Sequence, residues 1–268
     1  MNEATLQLQI EAARAYEALF VPALFEQYAT KVADAVSVGK GERVLDVACG
    51  TGILAREILR RVGPGGRVAG IDPAPRMIEV GKQIEPAIEW HEGKAESLPF
   101  ADKSFDVVVS QFGLMFFTDR ARAIQEMLRV LTSGGRFAVA VWDSLENIPA
   151  YASAVELLQR TAGQQAADAL RAPFVLGDQS ELRKMFSEAG ANSIEITTHP
   201  GTALFPSIRT MVEADLRGWL PVMGVTLSEE QISQILNEAE TALGAYTTIT
   251  GQVRFDISAH IVTGNAIQ

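Results

Sequence analysis

RVLDVACGTGIL, residues 43–54, is the stretch whose reading decides the fold. Val44, Leu45 and Val47 read as a short buried strand that ends in a Gly-rich turn and opens into a helix. Gly50 and Gly52 bracket Thr51, so the backbone can turn tightly and a ligand can come close without meeting a Cβ. The helix that follows, ILAREILRRV, points its N-terminal amides and positive dipole end at whatever sits over the turn. Asp46, at the end of the strand, is a carboxylate where a phosphate site would not want one.

Outward from this stretch, strand and helix alternate. Gly63 to Gly66 is a turn, RVAGID (67–72) a second strand ending in an acid, and PAPRMIEVGKQI a helix with prolines at its start. A third strand is expected around 87–90 and a fourth over 105–110, after a loop carrying Ala95, Glu96 and Ser97. A helix over 118–131 is expected to be capped by Ser133-Gly134-Gly135 ahead of a fifth strand, RFAVAVW. Near-continuous apolar strands separated by helices argue for a parallel sheet covered on both faces. Upstream, residues 5–37 read as one or two amphipathic helices broken near Pro22. Downstream, helices are expected over 147–171, 180–189, roughly 207–219 and 228–243. A sixth strand, 193–198, can extend through 202–205, and VRFDISAHIV is an alternating last strand. The expected fold class is α/β: a Rossmann-like, doubly wound, seven-stranded, mostly parallel sheet with an antiparallel last strand. Its expected units are an N-terminal helical cap (1–40), a core (41–205 and 251–268) and a helical lid insertion (206–250).

The bulk composition narrows the function classes. With 268 residues, 47% hydrophobic and 21% charged, the chain can bury a full core. A formal net charge of -10 argues against long nucleic-acid substrates, which need clustered Lys and Arg. Cys49 is the single cysteine, so no intramolecular disulfide and no CxxC metal motif can form. No signal peptide and no apolar run of membrane-spanning length is read, which makes the cytoplasm the default location. No metal is expected in the site. A homodimer is left open.

Three acids then line up at successive strand ends: Asp46 with the Gly loop, Asp72, and Glu96 beside Ala95. Ligands of open α/β sheets bind outside those carboxyl ends. An acid after the second strand can accept both hydroxyls of a ribose, and Asp46 suits a cationic group. No Lys follows the loop, which excludes a P-loop.

DVACGTG, GIDPAPRMI, AESLPF, DVVVSQFGLMFF and SGGRFAVAVW together resemble a class I S-adenosylmethionine-dependent methyltransferase, most of all the small-molecule branch that includes ubiquinone and menaquinone biosynthesis enzymes. The resemblance covers about residues 40–143. It implies S-adenosyl-L-methionine as the cofactor, with S-adenosyl-L-homocysteine as its product. Asp46 would lie near the methionine end, with Ala48, Gly50, Thr51 and Gly52 in the loop around the cofactor. Asp72 would take the ribose hydroxyls, Pro73 and Met77 would flank the adenine, and Ala95 and Glu96 would line its edge. Gln111 and Phe112 would stand beside the transferable methyl. Two other readings share the scaffold. Gly50, Gly52 and Ala55 also satisfy G-x-G-x-x-A, with Asp72 placed as an NAD-dependent oxidoreductase asks. Asp46, which would repel a pyrophosphate, and the Ala95-Glu96 loop weigh against it. A cofactor-binding partner protein without catalysis is the third.

The remaining candidates concern the acceptor, read as a small, apolar or aromatic molecule methylated by in-line displacement. Tyr16 and Phe20 from the N-terminal helices, Phe116, and Trp219 with its lid neighbours Leu216, Leu220, Val222 and Met223 are the candidate substrate-binding residues. Phe112 and Phe116 read equally as core packing and as aromatic faces for a sulfonium. Cys49 reads as a buried filler. Of His91, His199 and His260, His199 is the candidate catalytic base, expected to end a strand just before the insertion. Ser110-Gln111-Phe112-Gly113 lacks the NPPY-type motif of amino-methyltransferases acting on nucleobases or glutamine.

Overall fold

The computed structural model describes residues 10–266. Seven strands form one sheet in the order β3-β2-β1-β4-β5-β7-β6. They are β1 (Arg43–Val47), β2 (Arg67–Asp72), β3 (Glu89–Glu92), β4 (Phe105–Gln111), β5 (Leu131–Trp142), β6 (Ala191–Phe205) and β7 (Val253–Ala266). Six run parallel, and β7 inserts antiparallel between β5 and β6. The strand order reverses between β1 and β4, and this switch point is where ligands of such sheets bind. The central strands are apolar on both faces because helices cover both.

The N-terminal helix α1 runs over 10–35, and the part of its sequence reading that falls on residues 5–9 lies outside the described residues. It does not break at Pro22. A π-helical stretch, Tyr16–Phe25, carries the proline, and α-helix resumes over Glu26–Ala35. The wider i→i+5 turn accommodates a residue with no N–H, where α geometry would kink. α2 (Ile53–Val62) and α3 (Pro75–Ile84) follow the first two strands, as their periodicity predicts. α4 (Arg120–Arg129) is shorter than expected at both ends: Asp119 caps its start by accepting the Arg122 N–H. Ser133-Gly134-Gly135 does not close this helix as expected. These residues lie inside β5, where the register against β4 slips between Phe105 and Val107. β3 begins two residues later than expected.

α5 (Pro149–Ala162), α6 (Gln164–Arg171) and α7 (Gln179–Glu188) follow β5. β6 takes the longer of its two readings and spans both expected pieces without interruption. Between β6 and β7, α8 (Ile208–Ala214) runs into a second π-helical turn, Asp215–Trp219, and α9 (Glu229–Ala242) returns across α5. α1 and α2 pack on one face of the sheet, and α4 and α7 pack together on the other.

Candidate functional site

β1 delivers Asp46 to the carboxyl edge of the sheet, level with Gly70 of β2 and Val109 of β4. It is 1% exposed, and among the described residues neither carboxyl oxygen accepts a hydrogen bond of full geometry. Burial pushes its pKa well above the usual carboxylate range; the Ala55 backbone N–H pulls it partly back, and the charge of Asp72 pushes it up again. A buried, unpaired carboxylate beside a second one makes a seat short of positive charge.

The chain leaves β1 through a loop that needs left-handed backbone at Ala48 (φ 57°), Gly50 (φ 56°) and Gly52 (φ 89°). Ala48 carries that conformation without the freedom of glycine, a strain that sites store. At Gly52 a Cβ would also lie 2.3 Å from the Trp90 ring, so no larger residue fits. Asp72 ties this loop to the start of α3. One of its oxygens accepts the Gly50 N–H at 2.9 Å and the other accepts the Ala74 N–H at 2.8 Å. Burial raises its pKa against the pull of those two donors. Each oxygen keeps a second lone pair for a ligand hydroxyl.

α1 closes over the loop. The Tyr16 hydroxyl stands 3.7 Å from where a Gly50 side chain would begin, and burial, then the charges of Asp72, Glu17 and Asp46, hold it un-ionised. Glu17 accepts from the Thr51 hydroxyl and pairs with Arg56 at 2.6 Å, while Arg56 also donates to the Thr51 carbonyl at 2.8 Å. Tyr16 thus stands over the loop that follows β1, beside Gly50. Sequence reasoning missed Glu17, Arg56 and Trp90. Trp90 was in principle detectable, because its ring needs the missing side chains of both Gly52 and Gly81.

On the other side, Ala95 is buried and Pro73 and Met77 sit at the start of α3. The Glu96 carboxylate is turned toward α4, accepting the Thr118 N–H at 2.8 Å and the Asp119 N–H at 3.3 Å. Arg129 fixes the rest of that loop through the Leu98 and Phe100 carbonyls. Gln111, at the end of β4, donates to the Phe25 carbonyl at 3.1 Å, and its own carbonyl oxygen is buried and unpartnered. Phe112 is stacked on Trp142 at 3.8 Å, with Phe25 tilted at 5.6 Å and Tyr28 edge-on at 5.3 Å. Its ring packs in this aromatic cluster, on a backbone at a strained φ of 57°.

Phe116 is 41% exposed and lies 5.0 Å from Trp219, joining the segment after β4 to the π-helical turn above it. Phe20 sits edge-on to Phe205 at 6.3 Å and tilted to Tyr16 at 6.1 Å. Leu216 and Leu220 are buried in the lid, whereas Val222 is exposed. Two open clefts of about 320 and 470 Å³ lie along β6 and β7, away from these strand ends.

His199 does not end its strand: β6 continues six residues past it, to Phe205. Its Nε2 shares a 2.8 Å hydrogen bond with the Thr197 hydroxyl, and burial and Lys31 lower its pKa. His91 packs edge-on against Phe100. His260 is buried among the Gly177 carbonyl, Thr198 and Asp143.

A glycine cradle, an orphaned acid and a second acid with spare lone pairs fit a cationic amino-acid nucleoside. A family model described as a methyltransferase domain matches residues 45–139. Demethylmenaquinone methyltransferase of Staphylococcus aureus is 34% identical over 194 residues, covering 66% of this chain and 80% of that protein. Among solved structures, the YcgJ protein from Bacillus subtilis aligns with a TM-score of 0.60 at 19% identity, over 90% of this chain and 99% of that one. Phosphoethanolamine N-methyltransferase 2 of Haemonchus contortus, solved with phosphomonomethylethanolamine and S-adenosylhomocysteine, aligns with a TM-score of 0.59 at 15% identity, over 96% of this chain and 57% of that one. With these likenesses beside a glycine cradle and an unpaired acid, this chain belongs to the class I S-adenosylmethionine-dependent methyltransferases, enzymes that transfer the cofactor's methyl group to a small molecule.

Proposed function

We propose that the acceptor is a flat, largely apolar molecule of the phenol or quinol type, held between the segment after β4 and the helices over 206–250. The observation that carries this reading is the aromatic wall over the end of β4, where Phe116 meets Trp219. Phe20 and Phe205 extend that wall. The likeness to a demethylmenaquinone methyltransferase supports it, as does the -10 charge, which disfavours polyanionic acceptors.

The cofactor supplies an electrophilic methyl group, so the protein's work is alignment and exclusion of water. Asp46 would face the positive end, Asp72 the ribose hydroxyls, and the backbone of Ala48 to Gly52 would follow the cofactor's length. Pro73, Met77 and Ala95 would border the adenine. Glu96 contributes by holding the start of α4 and so the shape of that border. Tyr16 and Glu17 would close α1 over the loop. His199, on an edge strand with Thr197 as its partner, is not the base in this reading. A cytoplasmic location goes with it.

Mass spectrometry of ligand released from the purified protein, followed by calorimetric titration with S-adenosylhomocysteine and with NAD, tests the cofactor half. Transfer of labelled methyl to a panel of phenols, quinols, amines and carboxylic acids tests the acceptor half. Turnover confined to amines or acids would overturn it.

A further inference from the structure

The lid holds a titratable group that the cofactor seat does not use. Asp215 opens the second π-helical turn and is 5% exposed, and its carboxyl accepts no hydrogen bond among the described residues. The group that feels its charge is the buried hydroxyl of Tyr151 on α5, which burial and Asp215 keep un-ionised. Arg217, two residues on, is turned outward and paired with Glu213 and Glu229, so it does not neutralise Asp215. Burial alone lifts the Asp215 pKa to about 8. A buried acid without a partner is costly, and such groups concentrate at functional sites.

The turn that carries it reaches the segment after β4. Trp219 lies one turn on from Asp215 and packs on Phe116, directly after β4. Tyr151 packs against Phe174 at 5.1 Å and edge-on to Phe255 at 5.6 Å. Gly218 leaves room beside Phe20, whose ring is 4.0 Å from where a Cβ would stand. The π turn itself departs from α geometry in the way that recurs at functional sites. One buried carboxyl therefore stands on the turn that carries Trp219 to Phe116, with the Tyr151 hydroxyl of α5 within reach of its charge.

Resting on the acceptor reading above, we propose that Asp215 is the general base that takes the hydroxyl proton of a phenol-type acceptor. The O–H proton passes to the Asp215 carboxylate as the oxygen forms its bond to the methyl carbon. The methyl–sulfur bond breaks with its electron pair going to sulfur, which becomes a neutral thioether. The Asp215 acid then returns its proton to solvent. A base is most effective when its pKa lies near the working pH, and Tyr151 supplies a neighbouring hydroxyl that does not compete for the proton.

The test is single-turnover transfer from labelled S-adenosylmethionine near pH 8, the carboxyl's own range. The acceptors are 4-methoxyphenol and 2-naphthol, which stay un-ionised there, and 4-nitrophenol, which is already a phenolate. Asp215→Asn should lower the rate about 10²- to 10⁴-fold with the first two and leave 4-nitrophenol near wild type. Asp215→Glu should recover much of the loss. Calorimetric affinity for S-adenosylhomocysteine should be unchanged. Equal loss with all three phenols, or no loss, overturns the base. A wild type that methylates phenethylamine but no phenol makes Asp215 an ammonium-binding carboxylate and overturns it too. A wild type that does not bind S-adenosylhomocysteine, or transfers to none of these acceptors, sinks the underlying reading instead, and the phenolic assignment with it. Should Asp215→Asn not fold, Tyr151→Phe takes its place: it should shift the pH midpoint of 2-naphthol turnover and leave 4-nitrophenol unmoved, and an unmoved midpoint overturns the proposal.

Discussion

Asp46→Asn should make the empty protein more stable and the cofactor bind more weakly. The side chain is 1% exposed, both of its oxygens lack a full hydrogen bond, and Asp72 adds a like charge. Leaving such a group buried without a partner costs about 1–3 kcal/mol. The isosteric amide removes the charge with little change of volume, so most of that cost should disappear. At this chain length the gain corresponds to a melting-temperature rise of about 2–12 °C. The dependence on pH has a definite sign. A carboxyl whose folded pKa lies above its unfolded value of about 3.9 destabilises the fold only where it would otherwise be ionised. Wild type and Asp46→Asn should therefore melt together near pH 4, and the variant should pull ahead as pH rises, until the folded pKa is passed. Binding should change in the opposite sense. Losing a charge-assisted contact worth about 1.5–3 kcal/mol weakens S-adenosylmethionine roughly 10- to 150-fold. Scanning calorimetry across pH and titration calorimetry measure the two halves. A variant that melts below wild type at neutral pH, or binds the cofactor as tightly, would refute the account of Asp46 as a charge held for a ligand.

Asp72→Ala removes the acceptor of both the Gly50 and Ala74 amides, so denaturant unfolding should show a loss of about 2–5 kcal/mol together with loss of S-adenosylhomocysteine binding. Asp72→Asn, which keeps one acceptor oxygen, should lose less stability than the alanine variant. Gly52→Ala forces a positive φ on a residue with a Cβ and drives it into Trp90, so it should cost more than about 2 kcal/mol and abolish cofactor binding. Glu17→Ala breaks the link from α1 to Thr51 and Arg56. It should speed hydrogen exchange in the π-helical stretch of α1 and weaken cofactor binding by about 1 kcal/mol, without altering exchange in β1 or β4.

Elements whose signal is local were legible in the sequence. α2 and β2 begin and end where their apolar spacing and flanking glycines place them. The three strand-end acids were found because the carboxyl edge of a parallel sheet is fixed by topology alone. Features decided by contacts distant in sequence were not. Ser133-Gly134-Gly135 looks like a helix stop, yet pairing with β4 draws it into β5 with a register slip. Pro22 looks like a break, yet a π-helical stretch carries it, with Phe25 and Tyr28 packed beside Phe112 and Trp142. Glu96 was placed by its motif, but its carboxylate answers to the α4 amides. Asp215 reads as an ordinary helical acid in DLRGWL; its burial and its effect on Tyr151 of α5 come from the tertiary fold.

Asp46, Asp72 and Asp215 share one physical property: burial lifts each above the ordinary carboxylate range. A chain with 33 acidic side chains has ample solvent-exposed positions for them, so an interior carboxylate has to be explained by what it meets there. Asp72 meets two backbone amides and is only partly relieved. Asp46 meets no full donor among the described residues, and a bound cofactor would relieve both, its cationic groups facing Asp46 and its ribose hydroxyls donating to Asp72. Cofactor binding should then stabilise the fold by more than contact area alone implies, because it also cancels a standing electrostatic cost. Asp215 is on another element, the π-helical turn after α8, and burial alone gives it a proton affinity suited to an acceptor that arrives with a proton to lose. In this reading Asp46 would serve a cation, Asp72 a pair of hydroxyls and Asp215 a proton. That division follows from where the sheet ends and the lid begins.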